Sequence, residues 1–462
     1  MTATPHTRPG RWIDGWDPED DRFWERTGRR VARRNLWLSI LSEHIGFSVW
    51  SVWSVMVLFM SPAIGLDFDA SEKFLLTTVP NLVGALLRLP YSYAVTRFGG
   101  RNWTVLSTSA LLVPTGLTCY FVQQPGTPLG VFLLLGALTG IGGGNFASSM
   151  TNITAFFPQR SQGWALGLNA GGGNIGVAVI QLVGLLVIAT AGGTSPALVA
   201  AVYLPLIVLA ALLAALFMDN IDAVVAAPGA QLQVARDRHC WWISLLYVGT
   251  FGSFIGYGFA FGLVLQSQFD FTPLQAAGCT FLGPLLGSLS RPIGGRLSDR
   301  FGGARVTFWN FLGMAAATGL LLVASAMASF PLYLAAFVAL FVLTGVGNGS
   351  VFKMIPALFA KRAEREVTAG ADAASAFAAG RRLSGALMGV AGAVGALGGV
   401  FINLTFRASF GGAAASGDAA LWTFLGFYVL CVVVTWAVYL RRELAEPVSE
   451  PRTAVAEGAR SA

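Results

Sequence analysis

The chain has 462 residues, of which 55% are hydrophobic and only 11% are charged, and its mean hydropathy is +0.64. Soluble globular proteins carry roughly 25% charged residues, so this composition excludes a soluble fold and indicates a chain that lies mostly in lipid. The net charge of +7 does not indicate a nucleic-acid partner, because the basic residues gather on one predicted side of the membrane.

A helix needs about 20 predominantly apolar residues to cross a membrane, and twelve such stretches follow one another along the chain. Residues 1–34, which precede them, are polar and end in a cluster of arginines, so we predict no cleaved signal peptide. The predicted spans are 36–60, 72–96, 104–122, 129–155, 164–190, 196–218, 241–266, 272–296, 306–328, 332–358, 383–404 and 420–440.

The basic residues orient these spans, because cytoplasmic loops carry an excess of Lys and Arg. Loops on the side away from the amino terminus hold only Lys73 and Arg407. Both termini are therefore predicted to be cytoplasmic, and the Ala-, Gly- and Arg-rich composition is typical of a bacterial plasma-membrane protein from a GC-rich genome. The basic residues on the amino-terminal side are Arg97, Arg101, Arg160, Arg236, Arg238, Arg300, Arg305, Lys361, Arg362, Arg441 and Arg442.

The stretch between spans six and seven is longer and more polar than its neighbours and contains Pro228. We interpret it as a linker between two six-helix halves. The predicted organisation is a cytoplasmic amino-terminal segment at 1–35, a first bundle at 36–218, the linker at 219–240, a second bundle at 241–440 and a cytoplasmic tail at 441–462.

The two halves can be superimposed in sequence at a single offset of 203 residues. This offset places Arg88 on Arg291 and brings three separate segments together without a gap. Duplicated halves related by an axis along the membrane normal are typical of major facilitator transporters, which bind substrate between the halves. The matching sets are Gly84 with Gly287, 97–100 with 300–303, and Gly142, Gly144 and Asn145 with Gly345, Gly347 and Asn348.

Residues 295–303 resemble the GxxxDRxGRR loop that the same superfamily carries between spans two and three and between spans eight and nine. The first copy, at 96–101, lacks the aspartate. We interpret the charges of these loops as a conformational latch rather than as contacts to a substrate.

Arg88 and Arg291 each precede a helix end by nine residues, so they lie about 13 Å inside the membrane and should face each other. The only carboxylate that we place inside a span is Glu43. A buried arginine is costly in lipid, and its planar fork of donors suits a flat oxyanion. We therefore predict an anion site. The alternative is that the arginines bond carbonyls exposed by Pro90 and Pro292.

Other polar and aromatic residues of the spans are candidates for the same cavity. Asn169 and Asn174 lie in a glycine-rich stretch of span five, where their amides either line the cavity or bond across helices. The glycines at 142–144 and 163–176 are more typical of helix packing than of a phosphate loop. No CxxC pair is present, and we predict neither a metal nor another cofactor. The aromatic candidates for the walls are Phe47, Phe146, Tyr257 and Phe261.

These segments together resemble the NarK-type nitrate/nitrite porter family of the major facilitator superfamily. The resemblance implies twelve helices in two pseudo-symmetric six-helix bundles, an all-α membrane fold, and transport of nitrate and nitrite in nitrate assimilation. It also implies that Arg88 and Arg291 clamp the anion. The segments that carry the resemblance are 16–20, 34–37, 84–92, 145–150, 163–176, 251–256, 283–284 and 288–295.

The resemblance also assigns roles to the other candidates. Aromatic rings at Phe47, Phe146 and Tyr257 would sandwich the anion, and polar groups around Asn169 and Asn174 would help the helices to shift during alternating access. The partners implied are the two anions and membrane lipid. The oligomeric state stays open, with a monomer as the simplest expectation.

Three residues depart from the exchange-only members of this family. Glu43 and His44 stand where we expect apolar residues, and Lys353 stands where we expect an uncharged one. They are candidates for proton coupling or, as a Glu43–Lys353 pair, for a gate. Nitrate/nitrite antiport and nitrate/proton symport are therefore both retained, with antiport preferred. A membrane enzyme is disfavoured because no cluster of catalytic groups lies in the spans, and a sensor because the tails are short.

Overall fold

The computed structural model describes residues 7–8, 10–222, 228–413 and 415–441. The predictions made for residues 1–6, 223–227 and 442–462 fall outside this part of the chain. The described residues form twelve long helical spans, as predicted, which we number 1 to 12. In the first half, spans 1 to 6 are Asp21–Phe59, Ala70–Phe98, Gly100–Phe121, Leu129–Phe156, Gln159–Ala191 and Ala197–Phe217.

In the second half, span 8 is formed by the helices Pro273–Thr280 and Leu282–Phe301. A short linker helix, Pro228–Ala235, precedes span 7. Single π-helical turns interrupt spans 1, 7 and 12 at Trp24–Gly28, Val248–Gly252 and Thr435–Leu440. The remaining spans 7 and 9 to 12 are Arg238–Phe269, Gly303–Ala326, Phe330–Thr368, Ala373–Phe410 and Asp418–Leu440.

Ten of the twelve spans are long and apolar enough to cross a membrane by length and composition alone, and spans 2 and 8 are the other two. These two spans carry Arg88 and Arg291. Spans 10 and 11 extend beyond the apolar stretches predicted from hydropathy. The extension of span 10 is rich in charged residues, and the helix continues there because its hydrogen bonds are internal and do not depend on lipid.

The backbone repeats the duplication found in the sequence. Span 2 ends before Gly99 at φ +85°, and span 8 ends before Gly302 at φ +86°. This positive φ suits glycine at the end of a helix. The glycines of spans 4 and 10 pack against spans 2 and 8, because a Cβ at Gly143 would lie 2.9 Å from the Cα of Gly84, and one at Gly345 would strike the Gly287 carbonyl. Their role is close helix packing.

The amino-terminal segment folds onto the first half. Strand β1 (Thr7–Arg8) pairs with β2 (Trp12–Ile13), which pairs with β3 (Asn220–Ile221) just after span 6. The buried carboxylate of Asp219 accepts hydrogen bonds from Arg11, Arg34 and Asn35. Trp16 and Trp24 pack in a small core with Phe156 and Phe157 from the end of span 4. We call residues 10–24 the clasp.

The two ends of the molecule differ in how the halves meet. At the end away from Arg97, which we call the opposite end, spans 2 and 11 are in contact through the Thr77–Asn403 hydrogen bond of 2.8 Å and stacked phenylalanine rings. Gln181 of span 5 also donates to the Gly258 carbonyl of span 7 at 2.7 Å. At the end that carries Arg97, which we call the basic end, a cavity separates the halves.

Candidate functional site

The site begins with Arg88, in the middle of span 2 and only 1% exposed. One guanidinium nitrogen, Nη1, donates to the Gly392 carbonyl of span 11 at 2.8 Å, so the side chain reaches the other half. The guanidinium carbon lies 4.6 Å from the ring centre of Phe146 and 4.7 Å from that of Phe251, within cation–π range. Among the described residues, Nε and Nη2 have no hydrogen-bond partner.

Arg291 occupies the equivalent position in span 8 and is 7% exposed. Its Nη2 donates to the Tyr247 hydroxyl at 3.3 Å, and its guanidinium carbon lies 5.3 Å from the Phe352 ring centre. Its Nη1 has no partner in the described part of the chain. Among the described residues, neither arginine therefore donates a hydrogen bond to a helix turn opened by Pro90 or Pro292.

A row of stacked rings joins the two arginines. Tyr247 stacks on Phe251 at 5.1 Å, and Phe251 stacks on Phe146 at 6.0 Å. Phe47 stacks on the far side of Phe146 at 6.0 Å and is fully buried. These apolar rings surround the guanidinium groups with a medium of low dielectric on one side, which strengthens their attraction for an anion.

A cavity of about 160 Å³ opens from Arg88 toward the basic end. It has room for a small polyatomic ion together with water. Spans 2, 4 and 5 form one wall and spans 10 and 11 the other. Its lining consists of Arg88, Ser92, Phe146, Ala147, Met150, Thr151, Thr154, Leu166, Phe352, Gly385, Met388, Gly389 and Gly392.

Glu43 is 1% exposed and lies beside this cavity rather than in its lining. One carboxylate oxygen accepts hydrogen bonds from Ser149 and from Asn169, the latter at 2.7 Å. The other oxygen has no partner among the described residues. No ion pair joins this carboxylate to Arg88 or Arg291 in the described part of the chain.

Asn169 and Asn174 of span 5 and His44 of span 1 differ in their hydrogen bonds. Asn169 bonds across helices, to Glu43 in span 1 and to Ser149 in span 4 at 2.8 Å. The buried Asn174 amide has no hydrogen-bond partner in the described residues. The Nδ1 atom of His44 lies 3.1 Å from the Gly172 carbonyl. Of these three side chains, only that of Asn169 is hydrogen-bonded to Glu43.

Tyr257, Phe261 and Lys353 lie away from the arginines. The Tyr257 hydroxyl is 2.6 Å from that of Tyr428, inside an aromatic cluster of the second half. Phe261 stacks on Phe337 in the same cluster. Lys353 forms an ion pair of 2.7 Å with Asp299, so this conformation contains no Glu43–Lys353 pair. Asp299 is the aspartate of the 295–303 motif, and its partner Lys353 lies on the neighbouring span 10.

Sequence reasoning did not identify Tyr247 and Gly392 as site residues. A tyrosine in an apolar helix is ordinary, and nothing along the chain indicates that its hydroxyl meets Arg291 from another span. A carbonyl acceptor such as that of Gly392 leaves no sequence signal. Phe251 had a signal, since it starts one of the segments that resemble the porter family.

The arrangement can bind an anion without a metal. Two guanidinium groups, one from each half, retain unpaired donors near a cavity that opens at one end, and the Tyr247 hydroxyl is a further donor. No group of three His, Cys, Asp or Glu side chains suited to hold a metal ion occurs among the described residues. The four cysteines are free thiols.

The chain belongs to the Major Facilitator Superfamily, whose family model matches residues 44–402. It is therefore a multi-pass membrane transporter rather than an enzyme. Solved structures agree on the fold. A D-xylose–proton symporter superimposes with a TM-score of 0.64 at 16% identity, over 88% of this chain and 98% of its own. The xylose transporter XylE from E. coli gives 0.65 at 14% identity, over 89% and 98%.

Within the superfamily, the chain belongs to the NarK-type nitrate/nitrite porter family. The nitrate/nitrite transporter NarU of Salmonella typhimurium is 42% identical over 93% of this chain and 96% of its own length. NarU of Escherichia coli is 40% identical over 93% and 96%. The probable nitrate/nitrite antiporter NarK2 of Thermus thermophilus is 33% identical over 95% and 98%.

Proposed function

We propose that this protein carries nitrate and nitrite across a bacterial plasma membrane by alternating access and exchanges one anion for the other. The observation that carries the proposal is the pair Arg88 and Arg291, buried at equivalent depths in the two halves with guanidinium donors left unpaired. A flat oxyanion matches such a fork in shape and charge. Relatives named as nitrate/nitrite transporters and antiporters support the choice of anion.

The exchange follows from charge. With an empty site, two guanidinium groups that approach each other in a medium of low dielectric repel, so the closed intermediate is disfavoured. A bound anion between them removes this repulsion and lets the halves rock. In a carrier of this kind, the binding site returns to the other side only with an anion bound. The carrier therefore exchanges one anion for another and does not carry a net flux of anions.

The conformation described here corresponds to the state open to the cytoplasm. The cavity opens at the basic end, and by the positive-inside rule that end and both termini are cytoplasmic. The opposite end is closed by the contact of spans 2 and 11.

We further propose that the functional unit is a single chain, divided into two halves at 219–240. In this proposal, Phe47 and Phe146 form the apolar wall of the site, and Asn174 donates to the anion in other states.

A second candidate, nitrate/proton symport, is favoured by one observation. Glu43 is buried, and within the described part of the chain it has no ion-pair partner and bonds only to the neutral groups of Ser149 and Asn169. A carboxylate in such a place is a candidate proton carrier. His44, which packs against the Gly172 carbonyl, is the other titratable group nearby.

Transport into proteoliposomes separates the two candidates. Vesicles are loaded with nitrite, and uptake of labelled nitrate is measured with and without an inward proton gradient. We expect uptake to require internal nitrite and to ignore the gradient. Gradient-driven accumulation in empty vesicles would establish symport, and the absence of nitrate uptake in both settings would contradict the proposed function.

A further inference from the structure

A second cavity, of about 310 Å³, lies at the opposite end, on the seam between the halves. It is separated from the arginine site by the closed contact of the two halves. We call it the vestibule. The first half contributes Leu58, Met60, Ser61, Ala70 and Lys73, and the second half contributes Leu263, Gln266, Ser267 and Pro273.

The polar groups of the vestibule suit an anion. Lys73 is its one cation, and the lining residues include no carboxylate. Ser61, Gln266 and Ser267 add hydroxyl and amide donors from both halves. All four polar side chains are partly exposed, so an ion can reach them from water.

The neighbouring acids do not neutralise Lys73 by direct contact. Asp67 and Asp69 act on Lys73 at a distance, and no carboxylate of the described residues forms an ion pair with it. Asp69 caps span 2 by accepting a hydrogen bond from the Glu72 backbone, and Glu72 accepts one from the Asp69 backbone. Both carboxylates stay charged, but they cap the start of the helix, and of these charged residues only Lys73 lines the vestibule.

The position of Lys73 connects it to the transport path. It precedes Arg88 by fifteen residues on the same span, which places it about 22 Å closer to the opposite end. Phe74, the next residue, stacks at 5.9 Å on Phe406 of span 11 in the closed contact between the halves. When the halves part at this end, the vestibule becomes the mouth of the path to Arg88.

We infer that the vestibule is an outer loading site for a small monovalent oxyanion, with Lys73 as the attracting charge and Gln266 and Ser267 as donors from the other half. The inference rests on the proposed function, because it assumes that the path behind the vestibule carries an anion. A positive charge at the rim of a narrow cleft raises the local concentration of anions and their rate of entry. Its effect is screened by salt.

The test compares KM for nitrate on the two faces of oriented vesicles. Lys73→Gln should raise KM severalfold on the outer face and leave KM on the cytoplasmic face unchanged, whereas Lys73→Arg should retain the wild-type values. A non-transported salt at high concentration should remove the difference between Lys73→Gln and wild type. The matched control is Arg407→Gln, which removes the other cation at this end, one that donates to Ser71 and does not line the vestibule.

Three outcomes would overturn the inference. The first is an unchanged outer KM in Lys73→Gln. The second is an equal increase in Arg407→Gln, which would reflect general surface charge. The third is an outer KM that rises while the cytoplasmic KM falls, because this pattern reports a shifted balance between the two states of the carrier. Wild-type exchange in the same vesicles separates these outcomes from a failure of the proposed function.

Discussion

Arg88 and Arg291 come from duplicated positions, yet their surroundings differ. Arg88 reaches across to the Gly392 carbonyl of the other half and lies against two phenylalanine rings. Arg291 donates to Tyr247, which belongs to its own half. When the halves rock, the first hydrogen bond must change and the second can persist. The duplication thus supplies two equal charges, but of the two arginines only Arg88 is hydrogen-bonded to the other half in the described part of the chain.

The largest effect is expected for Arg88→Lys. Lysine keeps the charge but loses the planar fork and the reach to Gly392. A hydrogen bond to a charged group contributes about 1.5–3 kcal/mol, so nitrate/nitrite exchange should fall by roughly 10- to 150-fold, in both turnover and affinity. Arg291→Lys in parallel should mainly raise KM. Equal losses of turnover in both variants would remove the asymmetry proposed for the two arginines.

The next effect concerns the partner of Arg291. Tyr247→Phe removes the hydroxyl and keeps the ring that stacks on Phe251. We expect KM for nitrate to rise about 3- to 10-fold, the range for loss of an ordinary hydrogen bond, because the bond to Arg291 is long at 3.3 Å, and we expect little change in turnover. Tyr428→Phe is the matched control, because its hydroxyl is equally buried but bonds to Tyr257 and Ser253, away from the arginines. A similar effect in both variants would indicate general loosening.

The clasp is a second difference between the halves, since the described part of the second half has no equivalent of it. Asp219→Asn leaves two arginines without their carboxylate, but both arginines are partly exposed to water. We therefore expect a loss of about 1–3 kcal/mol, below the value for fully buried pairs. Thermal unfolding in detergent measures it. An unchanged midpoint would show that the contacts of Asp219 with Arg11 of the clasp and with Arg34 do not stabilise the first half.

Asp237, which begins span 7, offers the corresponding test in the second half. Burial raises the pKa of its carboxyl, but the His239 backbone N–H and the Arg362 guanidinium, at 2.7 Å, outweigh burial and hold the pKa below its usual value. Its contribution to stability is therefore present above the unfolded pKa of about 3.9 and is lost as the pH falls through the folded value. Asp237→Asn should unfold at a lower temperature at pH 7, and this difference from wild type should shrink at acidic pH.

The smallest effect is expected for Glu43→Gln, if exchange is the mode of transport. Glutamine retains an oxygen for Ser149 and Asn169, so nitrate/nitrite exchange and its pH dependence should stay within about twofold of wild type. Loss of pH dependence in this variant would instead favour symport. Ser149→Ala, which removes one donor to the same carboxylate, reports whether the cluster matters for packing alone.

The sequence predicted the fold and the equivalent positions of the two arginines in spans 2 and 8, because both depend on regular features. Apolar stretches define the spans, and the offset of 203 residues carries Arg88 onto Arg291. The structure places the helix ends at Phe98 and Phe301, which obey the same offset. The repeated sequence therefore predicted that the two helices end at equivalent positions, and this prediction needed no knowledge of contacts between residues.

Contacts between distant residues were less predictable. The pairing of Lys353 with Asp299, the placement of Tyr257 beside Tyr428, and the hydrogen bond from Arg291 to Tyr247 depend on how helices are rotated against each other. The clasp was also missed. Residues 10–24 are polar in composition, and Trp16 is buried by Phe156 at the end of span 4, which is distant in the sequence.

The central claim, that one anion is held by both arginines, is tested most directly by a double-mutant cycle of nitrate binding. Affinities are measured with labelled nitrate for wild type, Arg88→Lys, Arg291→Lys and the double variant in nanodiscs. If both groups bind the same ion, the double variant should lose less than the two single losses combined, with a coupling free energy of about 1 kcal/mol or more. Strictly additive losses of binding free energy would contradict the claim, because they would indicate that the two arginines do not bind the same ion.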